Sequence, residues 1–124
     1  MGQVKVVFDS CILIDYLNGI KPAKAEIEAL DKGSRCISTL TWIEVMVGVE
    51  EDHIDIVSDF LASFTVLSLN ADVAMASVTV RKERKIKLPD AIIEATAIAN
   101  NALLVTRNTK DFQASVSVRI PYTL

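Results

Sequence analysis

With one histidine and two cysteines among 124 residues, the chain has little with which to build a zinc site or a histidine-assisted nucleophile. His53 lies among polar residues that open a helix, an exposed setting. Cys11 and Cys36 are far apart in sequence, each in apolar surroundings, which suits buried free thiols in a reducing compartment. No apolar run is long enough to span a bilayer, so no membrane is expected. The N-terminus lacks the basic-then-apolar order of a signal peptide. Position 6 after Gly2 is Val6 rather than Ser or Thr, against N-myristoylation. The expected location is the cytoplasm.

What is present is a good core. Hydrophobic residues make up 51% of the chain and charged residues 23%, which excludes disorder and suits one domain over residues 1–124. The net charge of −3 argues against a protein that coats nucleic acid nonspecifically. The charge is uneven, however. The stretch RKERKIK (Arg81, Lys82, Glu83, Arg84, Lys85, Ile86, Lys87) carries a local +4, leaving −7 on the remainder. A basic patch on an acidic body suits local positioning of a polyanion. Cations complementing a helix C-terminus account for part of the same cluster.

Apolar runs and helical stripes alternate along the chain. Val4 and Val6 to Phe8 read as a strand buried on both faces, ending abruptly at Asp9. Ser10 to Leu17 reads as a short helix. Gly19 and Pro22 punctuate a turn before a helix over Ala23 to Leu30, and RCIS (residues 35–38) is a short strand. Thr39 or Thr41 caps a largely buried helix from Leu40 to Val49, bearing Trp42, Ile43, Val45 and Met46. Asp52 opens an amphipathic helix reaching Phe64, and TVLSL (65–69) alternates like a strand. Asn70 or Asp72 caps a long helix into the basic segment. Pro89 sits in the first turn of a helix to Asn101. LLVT (103–106) is a buried strand followed by a polar loop, and residues 116–120 are a final edge strand. This order predicts a three-layer α/β/α sandwich with a mostly parallel central sheet.

The acids then become informative. In open α/β sheets, ligands sit outside the carboxyl ends of the strands, where Asp9 lies. For one acid alone, a helix cap is sufficient reason. Glu44 stands in an apolar helix, where a carboxylate must be paired, protonated or bound to a cation. Asp90 suits the first turn of its helix, and Glu94 follows at i+4, where it either shares the cleft or points to water. Asn108 and Asp111 are ordinary turn residues taken alone. Together, strand tips at Asp9 and Thr106 and helix starts after strand crossings bring Asp9, Glu44, Asp90 and Asn108 or Asp111 to one edge. Two carboxylates about 4 Å apart repel by roughly 4 kcal/mol at an effective dielectric of 20. Such a group raises some pKa values or requires a divalent cation, and an all-oxygen set favours Mg²⁺ or Mn²⁺. That chemistry suits phosphodiester hydrolysis.

The segments VVFDSCILIDYL, ISTLTWIEVMVG, LPDAIIEATAIA and LLVTRNTKDF, in this order and spacing, resemble the PIN-domain family of VapC-type toxins over nearly the whole chain. The resemblance implies a PIN-like Mg²⁺- or Mn²⁺-dependent endoribonuclease acting on RNA, held inactive by a cognate antitoxin and forming a homodimer. By likeness, Asp9 and Asp90 match the principal metal-binding aspartates and Glu44 the family's further acid. Ser10 and Thr106 match hydroxyl residues that support them. Asn108 stands where the family often has a fourth acid, with Asp111 placed to compensate. Cys11 replaces a common Asn, and Glu94 stands where Ala is usual. Arg81, Lys82, Arg84, Lys85 and Lys87, with Arg107 and Lys110, are assigned to steering the RNA backbone.

Two rivals come from other classes. A receiver-type phosphoacceptor domain has a similar length and an acid after the first strand, but it wants a second acid beside the first, where Ser10 follows Asp9, and an aspartate closing the third strand, where TVLSL is followed by Asn70. A non-catalytic PIN-like module that binds RNA or protein is the other alternative, its chemistry lost through Asn108.

Overall fold

The computed structural model describes residues 4–124, so the reading at Gly2 lies outside the described residues. Five strands form one parallel sheet: β1 (Val6–Phe8), β2 (Arg35–Ser38), β3 (Thr65–Leu67), β4 (Leu103–Val105) and β5 (Val118–Arg119). Their spatial order is β3-β2-β1-β4-β5. Among the described residues, six α-helices accompany them: α1 (Ser10–Leu17), α2 (Lys21–Glu28), α3 (Thr39–Val47), α4 (Ile54–Ala62), α5 (Ala71–Arg84) and α6 (Leu88–Ala99). The expected sandwich is observed, with every strand pairing parallel.

Alternation along β1 divides the core. Val6 and Phe8 pack with Ile12 and Leu13 of α1, Ile27 of α2 and Leu61 of α4. Val7 faces the other way, onto Ile93 and Ala97 of α6. Beyond α6, Val73 and Val80 of α5 meet Ala91 and Ala95, small side chains that let the two helices approach closely. Full burial of a Phe or Leu side chain stabilises by about 1.5–3 kcal/mol, so this central strand anchors both layers.

The topology also decides where a site forms. The chain runs from β1 outward to β2 and β3, then returns to place β4 on the other flank of β1. The strand order therefore reverses between β1 and β4, and a crevice opens there at the carboxyl ends. In a receiver-type order 2-1-3-4-5, β1 would lie between β2 and β3. Here its neighbours are β2 and β4, which removes the receiver alternative.

Several boundaries differ from expectation. Val4 is exposed and precedes β1, and Pro22 lies inside the first turn of α2 instead of the preceding turn. Asp52 belongs to a 3₁₀ turn over Glu51–His53, while Phe64 is buried beyond the end of α4. β3 is an edge strand that stops at Leu67, leaving Leu69 outside it. Ser38, rather than Thr39 or Thr41, caps α3 by accepting from the Thr41 N–H at 3.0 Å.

The largest correction concerns α3. It was expected to be mostly buried, yet only Thr41 and Val45 are, while Trp42, Ile43 and Val47 are 38%, 45% and 80% exposed. The helix touches the body along one stripe. An apolar sequence records what avoids water, not whether the same chain provides the cover.

Candidate active site

The register of β1 and β4 builds the centre of the site. Phe8 pairs with Val105, and the Asp9 N–H donates to the Val105 carbonyl at 2.9 Å, so Asp9 and Thr106 leave the sheet side by side. Asp9 is buried and caps α1, its Oδ1 accepting from the Ser10 N–H at 2.8 Å. Its Oδ2 accepts from the Thr106 hydroxyl at 2.7 Å. That hydroxyl in turn accepts from the Asn108 N–H at 3.0 Å, fixing the loop after β4 to the same carboxylate. The Cys11 thiol lies 3.6 Å from both Asp9 Oδ2 and Thr106 Oγ1. Burial, then the Asp9 charge, pushes it up to about 11, so it stays protonated.

Asp90 comes from the first turn of α6. Its pKa rises to about 6, through burial first, then its hydrogen bond with Asp111, then the charges of Asp9, Asp111 and Glu44. Asp111 shifts downward, held ionised mainly by the Asn108 side chain, whose Nδ2 donates to Asp111 Oδ2 at 3.0 Å. The two shifts run in opposite directions, so of this pair Asp90 is protonated first as pH falls.

Asp9 and Asp90 line one pocket of about 400 Å³ together with Ser10, Cys11, Asn108 and Lys110. Glu44 does not line it. Its side chain lies on the exposed side of α3 and borders a neighbouring groove with Ile14, Leu17 and Ile56. Desolvation and the Asp9 charge still raise its pKa, opposed by a hydrogen bond from Ser10. The three acids therefore share an electrostatic field but not a cage. Among the described residues, no three His, Cys, Asp or Glu side chains come together as a preformed metal cluster.

Of the expected RNA-steering cations, Arg81, Lys82, Lys85, Lys87 and Lys110 are exposed. Arg84, exposed as well, and the half-buried Arg107 are bonded to acidic residues of the chain itself. Arg84 forms an ion pair with Glu94 and donates to the Asp111 carbonyl at 2.6 Å. Glu94 accordingly neither shares the acidic cleft nor points to water: it is buried against Arg84. Arg107 donates through Nε and Nη2 to the carboxylate of Asp15. Tyr122 adds its hydroxyl to Asp15 at 2.7 Å.

Asp15 and Tyr122 were missed from sequence. Asp15 carried a usable signal, an acid flanked by Ile14, Tyr16 and Leu17 in a short apolar helix. Glu44 has a similar apolar setting in sequence, but Asp15 is the acid that is buried, at 4% exposure. Arg107 hydrogen bonds hold its carboxyl below the usual range, and that carboxylate and burial raise the pKa of Tyr122.

A family model described as PIN domain matches residues 6–116. The chain belongs to the PIN-domain family. Among curated proteins, this PIN domain is 26% identical over 121 residues to the tRNA(fMet)-specific endonuclease VapC of Shigella flexneri, covering 90% of this chain and 92% of that one. Among solved structures, it is 42% identical to a chain of a toxin–antitoxin complex from Klebsiella pneumoniae, with a TM-score of 0.88. That match covers 97% of this chain and 100% of the other. FitAcB from Neisseria gonorrhoeae matches in fold, at 22% identity and a TM-score of 0.81 over 96% of this chain and 99% of that one. Among the described residues, no helix of the PIN domain is long and apolar enough to cross a membrane.

Proposed function

We propose that this PIN domain is a divalent-cation-dependent endoribonuclease and the toxin of a toxin–antitoxin pair. The reading rests foremost on Asp9 and Asp90 lining one pocket in a chain that matches the PIN-domain model over residues 6–116, and it is supported by the raised proton affinity of Asp90. Burial is the first cause of that shift, but the part due to the Asp9, Asp111 and Glu44 charges is repulsion that a hard cation would relieve. The oxygen donor set fits Mg²⁺ or Mn²⁺. The missing three-acid cage is compatible with this, because Mg²⁺ keeps several waters and commonly uses one or two carboxylates plus substrate phosphate. Asp9 and Asp90 would hold the cation, with Glu44 and Asp111 adding charge around it. When bound, it supplies activation of a water and neutralisation of charge at phosphate.

The chain's own residues prepare the site. Thr106 and the Ser10 N–H fix both oxygens of Asp9. Asp111 and Asn108 hold the loop side of the pocket against Asp90. The exposed cations Arg81, Lys82, Lys85, Lys87 and Lys110 serve the RNA backbone in this reading. The apolar groove beside Glu44, about 550 Å³ and flanked by Ile14, Leu17 and Ile56, suits an apolar segment of the antitoxin. A homodimer in a reducing cytoplasm completes the proposal, the free thiols Cys11 and Cys36 agreeing with that compartment.

The test is incubation with labelled structured RNAs, with Mn²⁺ or with a chelator. Cleavage with Mn²⁺, its loss with chelator, and at least a ~100-fold drop in Asp9→Asn are the expected results. Full activity in Asp9→Asn, or equal cleavage under chelation, would remove the reading.

A further inference from the structure

We propose that Arg84 is a positioning residue for the acidic pocket rather than an RNA contact, gripping the loop after β4 so that Asp111 and Asn108 are held at the pocket that Asp9 and Asp90 line. This inference rests on the functional reading above. Arg84 stands at the last position of α5, and Lys85 turns the chain at once in the left-handed region with φ 55°. The guanidinium is thereby held over the loop. One nitrogen, Nη1, donates to Glu94 Oε1, and the other, Nη2, donates to the Asp111 carbonyl at 2.6 Å. The guanidinium also lies over the buried Phe112 ring, 5.3 Å from its centroid.

The connections close a circuit. Glu94 and Asp90 are one turn apart on α6, on the same side of the helix. Glu94 holds Arg84, Arg84 holds the main chain of Asp111, and the Asp111 side chain accepts from Asn108, which lines the pocket with Asp90. The Asn108 carbonyl accepting from the Phe112 N–H at 3.0 Å makes the gripped segment a tight turn. A planar fork with donors in fixed directions performs this double attachment, which a lysine ammonium does poorly. Although Arg84 is exposed, both terminal nitrogens already donate within the chain, so the guanidinium is less free to act as a phosphate ligand.

The expectation follows from how groups behind a cation site act. Loss of a residue that orients a ligand typically lowers cation affinity by about 10–100-fold. Loss of a phosphate contact instead weakens RNA association and flattens its dependence on salt, by about 0.7 per contact on a single strand. The two roles therefore move different quantities.

The experiment measures Mn²⁺ affinity by calorimetry without RNA. It also measures RNA association against salt concentration in the presence of chelator. Arg84→Met should bind Mn²⁺ about tenfold more weakly while keeping the wild-type salt slope. Replacing Arg81 and Lys82 together by Ser should do the reverse. Because Arg84→Met also leaves buried Glu94 without its partner, Glu94→Ala provides a second variant that opens the circuit without removing a cation. It should weaken Mn²⁺ binding in the same direction. Wild-type Mn²⁺ affinity in both variants, or a flattened salt slope in Arg84→Met, would overturn the positioning role. Failure of the unaltered chain to bind Mn²⁺ at all would instead overturn the functional reading beneath it.

Discussion

Two acid–arginine pairs flank the loop after β4, and they are built to opposite electrostatic standards. Asp15 accepts two hydrogen bonds from Arg107 and a third from Tyr122, and its pKa falls. Glu94 accepts one bond from Arg84, its buried Oε2 has no partner among the described residues, and its pKa rises through burial despite that arginine. The difference shows that a buried ion pair is not a unit of stability by itself. What counts is whether every lone pair taken out of water finds a donor. Asp15 ties α1 to the first residue of the loop and to the C-terminal segment, and its three donors make it structural. Glu94 is under-satisfied, which is unusual for a group kept only for stability.

The sharpest way to test that contrast is to remove the well-satisfied acid. Asp15→Ala leaves Arg107 and the Tyr122 hydroxyl without their acceptor, and removal of one member of a buried pair costs about 3–5 kcal/mol. Arg107 retains some solvent access, so about 3 kcal/mol is expected, read from urea denaturation. A loss below about 1 kcal/mol would erase the distinction from Glu94.

The acidic pocket provides the next, smaller effect. The folded-state pKa of Asp90 is raised from 3.8 to about 6, so the folded form binds this proton more tightly than the unfolded chain. Its stabilising contribution is complete below about 3.8 and is lost as pH rises through about 6. At pH 7 without metal, ionised Asp90 is therefore a liability, and Asp90→Asn should stabilise by about 1 kcal/mol once solvent screening is allowed for. The gain should vanish near pH 4 and should reverse when Mn²⁺ is added. An Asn variant equally stable to wild type at pH 4 and pH 7 would mean that the carboxylates do not oppose one another.

How much of this was legible in the sequence depends on the distance over which a signal acts. The buried run before Asp9 and the one before Thr106 reveal two strand ends, since strand burial is written locally. Their adjacency then follows from the parallel topology, and β1–β4 register delivers it. The partners of Arg84 and Arg107 were not legible, because a surface-type residue gives no sign of the acid that folding brings beside it. Asp15, Arg107 and Tyr122 meet from three distant positions, and only the first has a locally anomalous setting. The exposed side of α3 was misread for the opposite reason. Trp42, Ile43 and Val47 look like core from sequence, and the missing information is what else covers them.

The smallest effect is the one that separates the two arginine pairs most cleanly. Glu94→Gln keeps an acceptor for Arg84 and removes a charge whose second oxygen has no donor. Stability should change by less than about 1 kcal/mol, against about 3 for Asp15→Ala. The pH dependence should separate them by sign. Glu94, with its raised folded pKa, contributes stability that is complete below the unfolded value of 4.5 and lost as pH rises through the folded value. Asp15, with its lowered pKa, contributes stability that is present above the unfolded value of 3.8 and lost as pH falls through the folded one. Melting temperature followed from pH 7 down to pH 3 should therefore fall less steeply in Asp15→Asn than in wild type, and more steeply in Glu94→Gln. Parallel curves for the two variants would show that Arg84 satisfies its acid as fully as Arg107 does, and the asymmetry between the two ends of the loop would be gone.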